Sequence, residues 1–432
     1  MIQYFYTKKK ILLYVLLVIL AIFWSFFYFK NIITVPFHPD EATQIFMSED
    51  FKLLFNNTSD LFYNRDPASP IKQNYRLLDA PLTKYTIGFW RMIFGIEGLQ
   101  SDWNWSKSWE LNSAALPDHN LLLLSRISLS IFFPFSIFLF YFIAQDLFNH
   151  NKILVLSSLL LFSTNSLLLL HTRRAMAEGL LIFFLIFSLY TLNKLPKKWI
   201  FLSAIPITFA INAKQSLIFL IPIALILMII YYKKNIKSIA IQTVMFFILI
   251  IGISYLLNPI SWQEPIKVAK LMIIERQELS QDQVSAISSV TPEFPTIKFK
   301  EKITAFIAQI FVLPPSPQEI SNYQEQLNQS IYEYFKNPIQ KGYFRNLIIG
   351  TIFFLLSFYG FIISIFILPI KQKIIFSLGY LLLIFEIFLF VDLPFQRYYL
   401  PTIPFVIWFT FISLSDLSSK ISKLPRLNHQ QL

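Results

Sequence analysis

Apolar stretches of about 20 residues, the length a helix needs to cross the hydrocarbon of a bilayer, recur along most of the chain and leave it few folds. Such windows fall near 11–29, 121–144, 153–170, 178–193, 199–213, 215–232, 237–257, 346–369, 373–391 and 398–415, the fifth being short. With 55% hydrophobic and 14% charged residues over 432 positions, the composition does not suit one or two soluble globular domains. The expected fold is an all-α polytopic membrane protein with about ten transmembrane helices.

Charge sets the expected orientation. A formal net charge of +12 could suggest a nucleic-acid surface, but the lysines lie in short clusters between apolar runs, which is the orientation signal of membrane proteins. Nucleic acid is therefore not an expected partner. Alternate junctions carry Lys8, Lys9 and Lys10, then Lys152, then Lys194 with Lys197 and Lys198, then Lys233, Lys234 and Lys237, then Lys371 with Lys373, and Lys420 with Lys423. By the positive-inside bias these face the cytoplasm, as do both termini, and residues 30–120 and 258–345 lie outside. Residues 11–29 imitate a signal peptide but are long and lack a small-residue cleavage pattern, so they read as an uncleaved first span. The chain divides into an N-terminal transmembrane region, 1–257, that carries a first outer loop, 30–120; an outer loop or small subdomain, 258–345; and a C-terminal transmembrane region with a cytoplasmic tail, 346–432.

In the first loop Met47, Phe51, Leu54 and Phe55 recur at helical spacing, and residues 83–97 are apolar but too short to cross. Both stretches read as helices lying on the membrane. The second loop is rich in Gln, Ser and Glu, and Pro292, Pro295, Pro314, Pro315 and Pro317 are expected to break any long helix, leaving an irregular subdomain or a cover. With no cysteine, disulfides and thiol nucleophiles are excluded. Only 9 glycines, with no repeat and no paired Gly-interrupted spans, weigh against a transporter.

The tetrad His38-Pro39-Asp40-Glu41 directly follows the first span and puts two carboxylates at a bilayer boundary, where acidic groups point to function. Asp40 could simply cap the helix that follows. A capping carboxylate can still face a substrate, and desolvation would raise its basicity toward that of a general base. In Leu78-Asp79-Ala80-Pro81-Leu82-Thr83-Lys84-Tyr85, Pro81 should start a helix, with Asp79 a cap or site residue and Lys84 snorkelling or binding an anion. His171 to Glu178 sets Arg173 and Arg174 outside, against the charge trend. Arg174 and Glu178 have pairing distance on a helix, which leaves Arg173 for a lipid phosphate. Lys214 lies in a tight outer turn and Arg397 at the outer mouth of the last span. Cations at four separate outer junctions suggest one shared anionic ligand.

These residues resemble the GT-C glycosyltransferases, in the branch of protein O-mannosyltransferases and lipid A aminoarabinose transferases. His38 to Glu41 is similar to the acidic motif of that family's first outer loop. Asp79 to Lys84 resembles its Pro-Pro-Leu-Gly-Lys stretch, with Ala80 departing from it. Thr172 to Glu178 resembles Ser-Arg-x-x-Met-x-Asp with Glu178 for Asp, and Arg397-Tyr398 with Pro401 looks like the final Arg-Tyr-x-x-Pro. The resemblance covers residues 1–415 except the 258–345 loop. It implies inverting transfer of a sugar from a polyprenyl-phosphate donor to an acceptor lipid, glycan or protein hydroxyl, outside the cytoplasmic membrane. It further implies Asp40 as general base and Glu41 and Glu178 as supporting acids. Lys84, Arg173, Lys214 and Arg397 become donor-phosphate contacts, with Arg397 foremost. In some members a divalent cation (Mg or Mn) joins the acidic motif and in others none is needed, which leaves Asp79 and Glu178 as metal candidates. Other classes remain: a polysaccharide polymerase or ligase using a diphosphate donor, a lipid-linked sugar transporter or flippase, and an inactive lipid-binding relative.

Overall fold

The computed structural model describes residue 19, residues 22–319 and residues 323–422, and no strand occurs among them. Lys8, Lys9, Lys10, Lys423 and most of the 11–29 window lie outside the described residues. A helix over 22–30 (α1) leads into the first loop, with α2 (Pro39–Met47), α3 (Asp50–Asn56), α4 (Pro70–Leu78) and α5 (Leu82–Phe94). Next come α6 (His119–Ser130), α7 (Phe132–Leu147), α8 (Lys152–Ser163), α9 (Ser166–His171), α10 (Glu178–Lys194), α11 (Ala204–Ala213), α12 (Leu220–Tyr232) and α13 (Ile236–Leu257). The second loop holds α14 (Pro265–Val290), α15 (Phe299–Ile307), α16 (Gln324–Phe335) and α17 (Pro338–Lys341). Last are α18 (Leu347–Ile367), α19 (Ile370–Gln372), α20 (Gly379–Phe390) and α21 (Ile403–Ser422).

Six of the ten expected windows hold helices long and apolar enough to cross a membrane: His119–Leu147, Gln215–Tyr232, Ile236–Leu257, Leu347–Ile367, Ile370–Phe390 and Gln396–Lys420. By helix length and composition these are the segments of a multi-pass membrane protein. The 153–170 window is broken instead. Asn165 stands between α8 and α9, and its side-chain oxygen accepts from the amides of Leu167 and Leu168, capping a new helix where one continuous span was expected. The 178–193 window is the 17-residue α10, and the 199–213 window is a 3₁₀ stretch followed by α11.

Burial separates the centre of the bundle from its rim. In α21, 78% of the most apolar window is buried, against 11% in α13, whose Ile241, Val244, Ile248 and Ile251 face outward. Trp408 of α21 stacks on Phe140 of α7 at 5.0 Å, and Phe140 on Phe162 of α8 at 4.3 Å. Offset ring pairs of this kind add roughly 0.5–1.5 kcal/mol each beyond their area. Between α18 and α21, Gly360 lies against the Phe409 carbonyl with no room for a Cβ, the small-residue contact that brings apolar helices together where no hydrophobic force can.

The junctions rich in lysine meet at one end of the bundle. Lys194 pairs with Asp146 at 2.7 Å, Lys371 Nζ donates to the Asn193 carbonyl at 2.5 Å, and Tyr232 donates to the Lys197 carbonyl at 2.9 Å. The two long loops gather elsewhere: α14 packs on α4, with Leu77, Ile260 and Val268 forming a small core. The expectation that prolines forbid a long helix in the second loop fails over 265–290. Pro265 sits in the first turn, where its missing N–H costs nothing, and the next proline is Pro292, past the end of α14. The proline-rich remainder, around 313–319, is irregular as expected.

Candidate functional site

Chain geometry at the start of α2 decides what its two carboxylates can do. His38 is extended (φ −126°, ψ 134°), Pro39 opens the helix, and the amide of Asp40 donates to His38 Nδ1 at 3.2 Å. The N-cap is thus His38 and not Asp40, whose carboxylate is left to point away. Glu41 closes a capping box by accepting from the His38 amide at 3.0 Å. It also takes both prongs of Arg126, each at 2.8 Å, and the amide of Ala175 at 2.9 Å. Arg126 donates its remaining prong to the carbonyls of Ile32 and Val35. Burial alone would raise the Glu41 pKa, but Arg126, joined by Arg174 and the Ala175 amide, holds the carboxyl below its ordinary value. Every lone pair of this wholly buried carboxylate is engaged by the fold. Arg126 was absent from the sequence-based site. Its only signal there is an arginine within an apolar window.

Asp40 is in a different situation. Its side chain is 30% exposed, and Oδ2 accepts from Arg397 Nη1, joining residues 357 apart in sequence. Burial pushes its pKa up, but Arg397 and His38 outweigh this and hold it at about 2. Desolvation was expected to make Asp40 more basic. Burial is the largest single influence, but the neighbouring positive charges, Arg397 first, together reverse the sign. Arg397 also meets Glu319 Oε2 at 3.0 Å from its Nε side, and that oxygen lies 3.6 Å from His38 Nε2. The buried Arg397 Nε–H has no hydrogen-bond acceptor, so the Glu319 contact is ionic and off-axis. On the other side Lys214 pairs with Glu178 at 2.8 Å, and Arg397 and Lys214 both lie over the Tyr398 ring, at 5.4 and 5.2 Å.

Four of the residues singled out in sequence therefore converge: Asp40, Glu178, Lys214 and Arg397. The others sit elsewhere. Lys84 is buried against Asp50 at 2.9 Å, and Asp50 also takes both prongs of Arg76. Arg173 is wholly buried, with its guanidinium over Tyr28 at 4.8 Å and Phe27 at 5.4 Å. Arg174 does not pair with Glu178: it donates to the carbonyls of Pro36 and Pro317, stitching the first loop to the second. Asp79 accepts from Gln44 at 3.3 Å, and burial raises its pKa, with Arg276 and Lys84 opposing and Asp40 adding. Asp79 and Glu178 are the carboxylates a divalent cation would draw on. Among the described residues, however, no three of His, Asp and Glu group as ligands, and Glu178 is turned to Lys214.

Sequence reasoning missed Glu319, which the unmatched second loop delivers, and the aromatic group beside it. Tyr323, also from that loop, packs with Trp103 at 6.2 Å, Trp105 at 6.0 Å and His38 at 6.4 Å. No spacing in the sequence ties that loop to residue 397. A cavity of about 260 Å³ lies away from this cluster, lined by Asp146, Asn149, Gln372 and Ser415, and shares no residue with it. No protein-family model matches the chain and no curated protein is significantly similar to it, so the site is read from its geometry.

Proposed function

We propose that this chain is a membrane glycosyltransferase. It would move a sugar from a polyprenyl-phosphate donor to an acceptor hydroxyl of a lipid, glycan or protein on the extracytoplasmic side of the cytoplasmic membrane. Both termini would be cytoplasmic, and the windows at 11–29, 153–170, 178–193 and 199–213 would complete the bundle of about ten spans. The lysine-rich junctions at the end away from Asp40 support that orientation. The observation that carries the reading is the partly exposed Asp40–Arg397 pair, a carboxylate and a guanidinium facing each other beside a second cation, Lys214.

In the resting pair Asp40 is a weak base and Arg397 is partly occupied. A donor phosphodiester entering beside Arg397 would compete for the guanidinium, whose spare N–H groups suit two phosphate oxygens. Relieved of part of that charge, Asp40 would regain basicity. It would then accept the proton of the acceptor hydroxyl as the acceptor oxygen bonds to the anomeric carbon from the face opposite the phosphate. The bond from that carbon to the phosphate oxygen breaks with its electron pair on the oxygen, where Arg397 and Lys214 meet the charge, and the anomeric centre inverts. General-base catalysis of this kind contributes typically about 10²- to 10⁴-fold, and preorganised cations at the leaving oxygen add to it.

The test is turnover by purified protein supplied with a glycosylated polyprenyl monophosphate, compared with the diphosphate. Consumption of the monophosphate with loss of turnover in Asp40→Asn is the expected result. Use of the diphosphate alone would point to a polymerase or ligase. Sugar delivery that survives Asp40→Asn would point to a carrier.

A further inference from the structure

Arg397 is held from two sides by carboxylates that differ in access. Asp40 is 30% exposed and takes Nη1, whereas Glu319 is 5% exposed and sits against Nε. A guanidinium at the end of a flexible stem must lose rotamer freedom before it can present one edge reliably. A buried second anchor removes that freedom in advance. We propose that Glu319 is a positioning residue of the site: enclosed beside His38, it fixes the Nε side of Arg397 so that the Nη edge faces Asp40 and an incoming phosphate. This rests on the glycosyltransferase reading above and assigns a task to the second outer loop.

The supports of Glu319 are themselves fixed. His38 Nδ1 accepts the Asp40 amide proton, and its buried Nε2 faces Glu319 Oε2 at 3.6 Å, a packing contact beyond hydrogen-bond reach. One imidazole thus packs between the helix bearing Asp40 and the carboxylate behind Arg397. The strap before Glu319 is pinned to the segment bearing Arg397. The Ser316 amide donates to Gln396 Oε1 at 2.7 Å, and Gln396 Nε2 donates back to the Pro314 carbonyl at 2.8 Å. Pro317 accepts from Arg174 on the far side. Glu319 is also too enclosed to take a proton from an acceptor, which separates its role from that of Asp40.

The charge balance makes the proposal separable from simple blocking. If Glu319 only competed with the donor for Arg397, removing its charge would strengthen donor binding and leave or raise turnover. As a positioning group, its loss frees Arg397 to turn its Nη edge away from Asp40 and the phosphate, and turnover falls even where the donor binds well.

The experiment compares wild type, Glu319→Gln and Glu319→Asp in two assays: kcat and KM with a glycosylated polyprenyl monophosphate, and equilibrium binding of sugar-free polyprenyl monophosphate. For Glu319→Gln, kcat should fall about 10- to 100-fold, the cost of a small misplacement, while KM and lipid binding change less than threefold and Tm stays near wild type. Glu319→Asp should recover part of kcat. Unchanged or increased kcat in Glu319→Gln would overturn the proposal, as would losses that simply track the folded fraction and are not rescued by Asp. If wild type binds the lipid but turns over no sugar, it is the glycosyltransferase reading that fails. The positioning role rests on that reading and falls with it, whereas unchanged kcat in Glu319→Gln beside an active wild type overturns the positioning role alone.

Discussion

Asp40 and Glu41 are neighbours on one turn of one helix, and they occupy opposite kinds of electrostatic environment. Glu41 is wholly buried and saturated by Arg126 and two backbone amides, while Asp40 is part-exposed and shares a single guanidinium prong with the far end of the chain. A carboxylate with every lone pair engaged by the fold has nothing left for a substrate, and removing it strands a buried cation. A carboxylate with one partner and open lone pairs can trade that partner for a proton. Adjacent residues of the same chemical type can thus serve architecture and chemistry separately, depending on the direction each faces from the helix.

The sharpest way to break this contrast is Glu41→Ala. It leaves Arg126 buried beside an empty space and should cost about 3–5 kcal/mol, seen as loss of folded, monodisperse protein. A Glu41→Ala protein with wild-type Tm but no turnover would mean that Glu41 is chemical after all. Asp40→Asn should do the reverse, lowering turnover about 10²- to 10⁴-fold with Tm little changed. Arg397→Lys keeps the charge but loses the planar fork, and should weaken binding of polyprenyl monophosphate by roughly 1.5–3 kcal/mol, readable by titration.

Lys84→Met tests another buried acid, Asp50. Asp50 keeps Arg76, so the expected loss is about 1–3 kcal/mol of stability, followed by thermal unfolding, with donor KM unchanged. A large rise in donor KM would return Lys84 to the phosphate site. The smallest effect concerns Asp79. Its pKa is raised in the folded protein, so the ionised form costs stability at neutral pH and the cost fades as pH falls below the ordinary value of 3.8, where folded and unfolded chains both hold the proton. Asp79→Asn should therefore raise Tm at pH 7 and match wild type near pH 3. Asp40 has the opposite sign. Its pairing contributes stability above pH 3.8 and loses it as pH falls toward about 2, so wild type should lose Tm in that range more than Asp40→Asn does.

Much of the candidate site was legible because its parts violate a local rule. Lys214 and Arg397 are cations on the side of the bundle where the lysine pattern predicts few, and Asp40 is an acid at the edge of a span. Those signals needed no fold. The same rule misassigned partners. Arg174 and Glu178 have helical spacing, but Glu178 opens α10 and turns to Lys214, while Arg174 lies before the helix and reaches for carbonyls of both loops. Asp40 looked like a cap because aspartate often is one, yet the histidine two residues earlier took that place. Broken spans were invisible for a related reason: hydropathy averaged over 153–170 cannot register that Asn165 caps a fresh helix.

By itself the sequence determined that this chain is helical and rich in membrane-length apolar segments, where six of them run, and which charged residues are out of place. Hydropathy and helix length are sums over neighbouring residues, so a linear reading recovers them. Only the tertiary structure decided which carboxylate is saturated and which is open, that Lys84 turns to Asp50, and that Glu319 stands behind Arg397. Those outcomes depend on distances of a few ångströms between segments hundreds of residues apart, where Coulomb energy falls off with separation in space and is blind to separation along the chain.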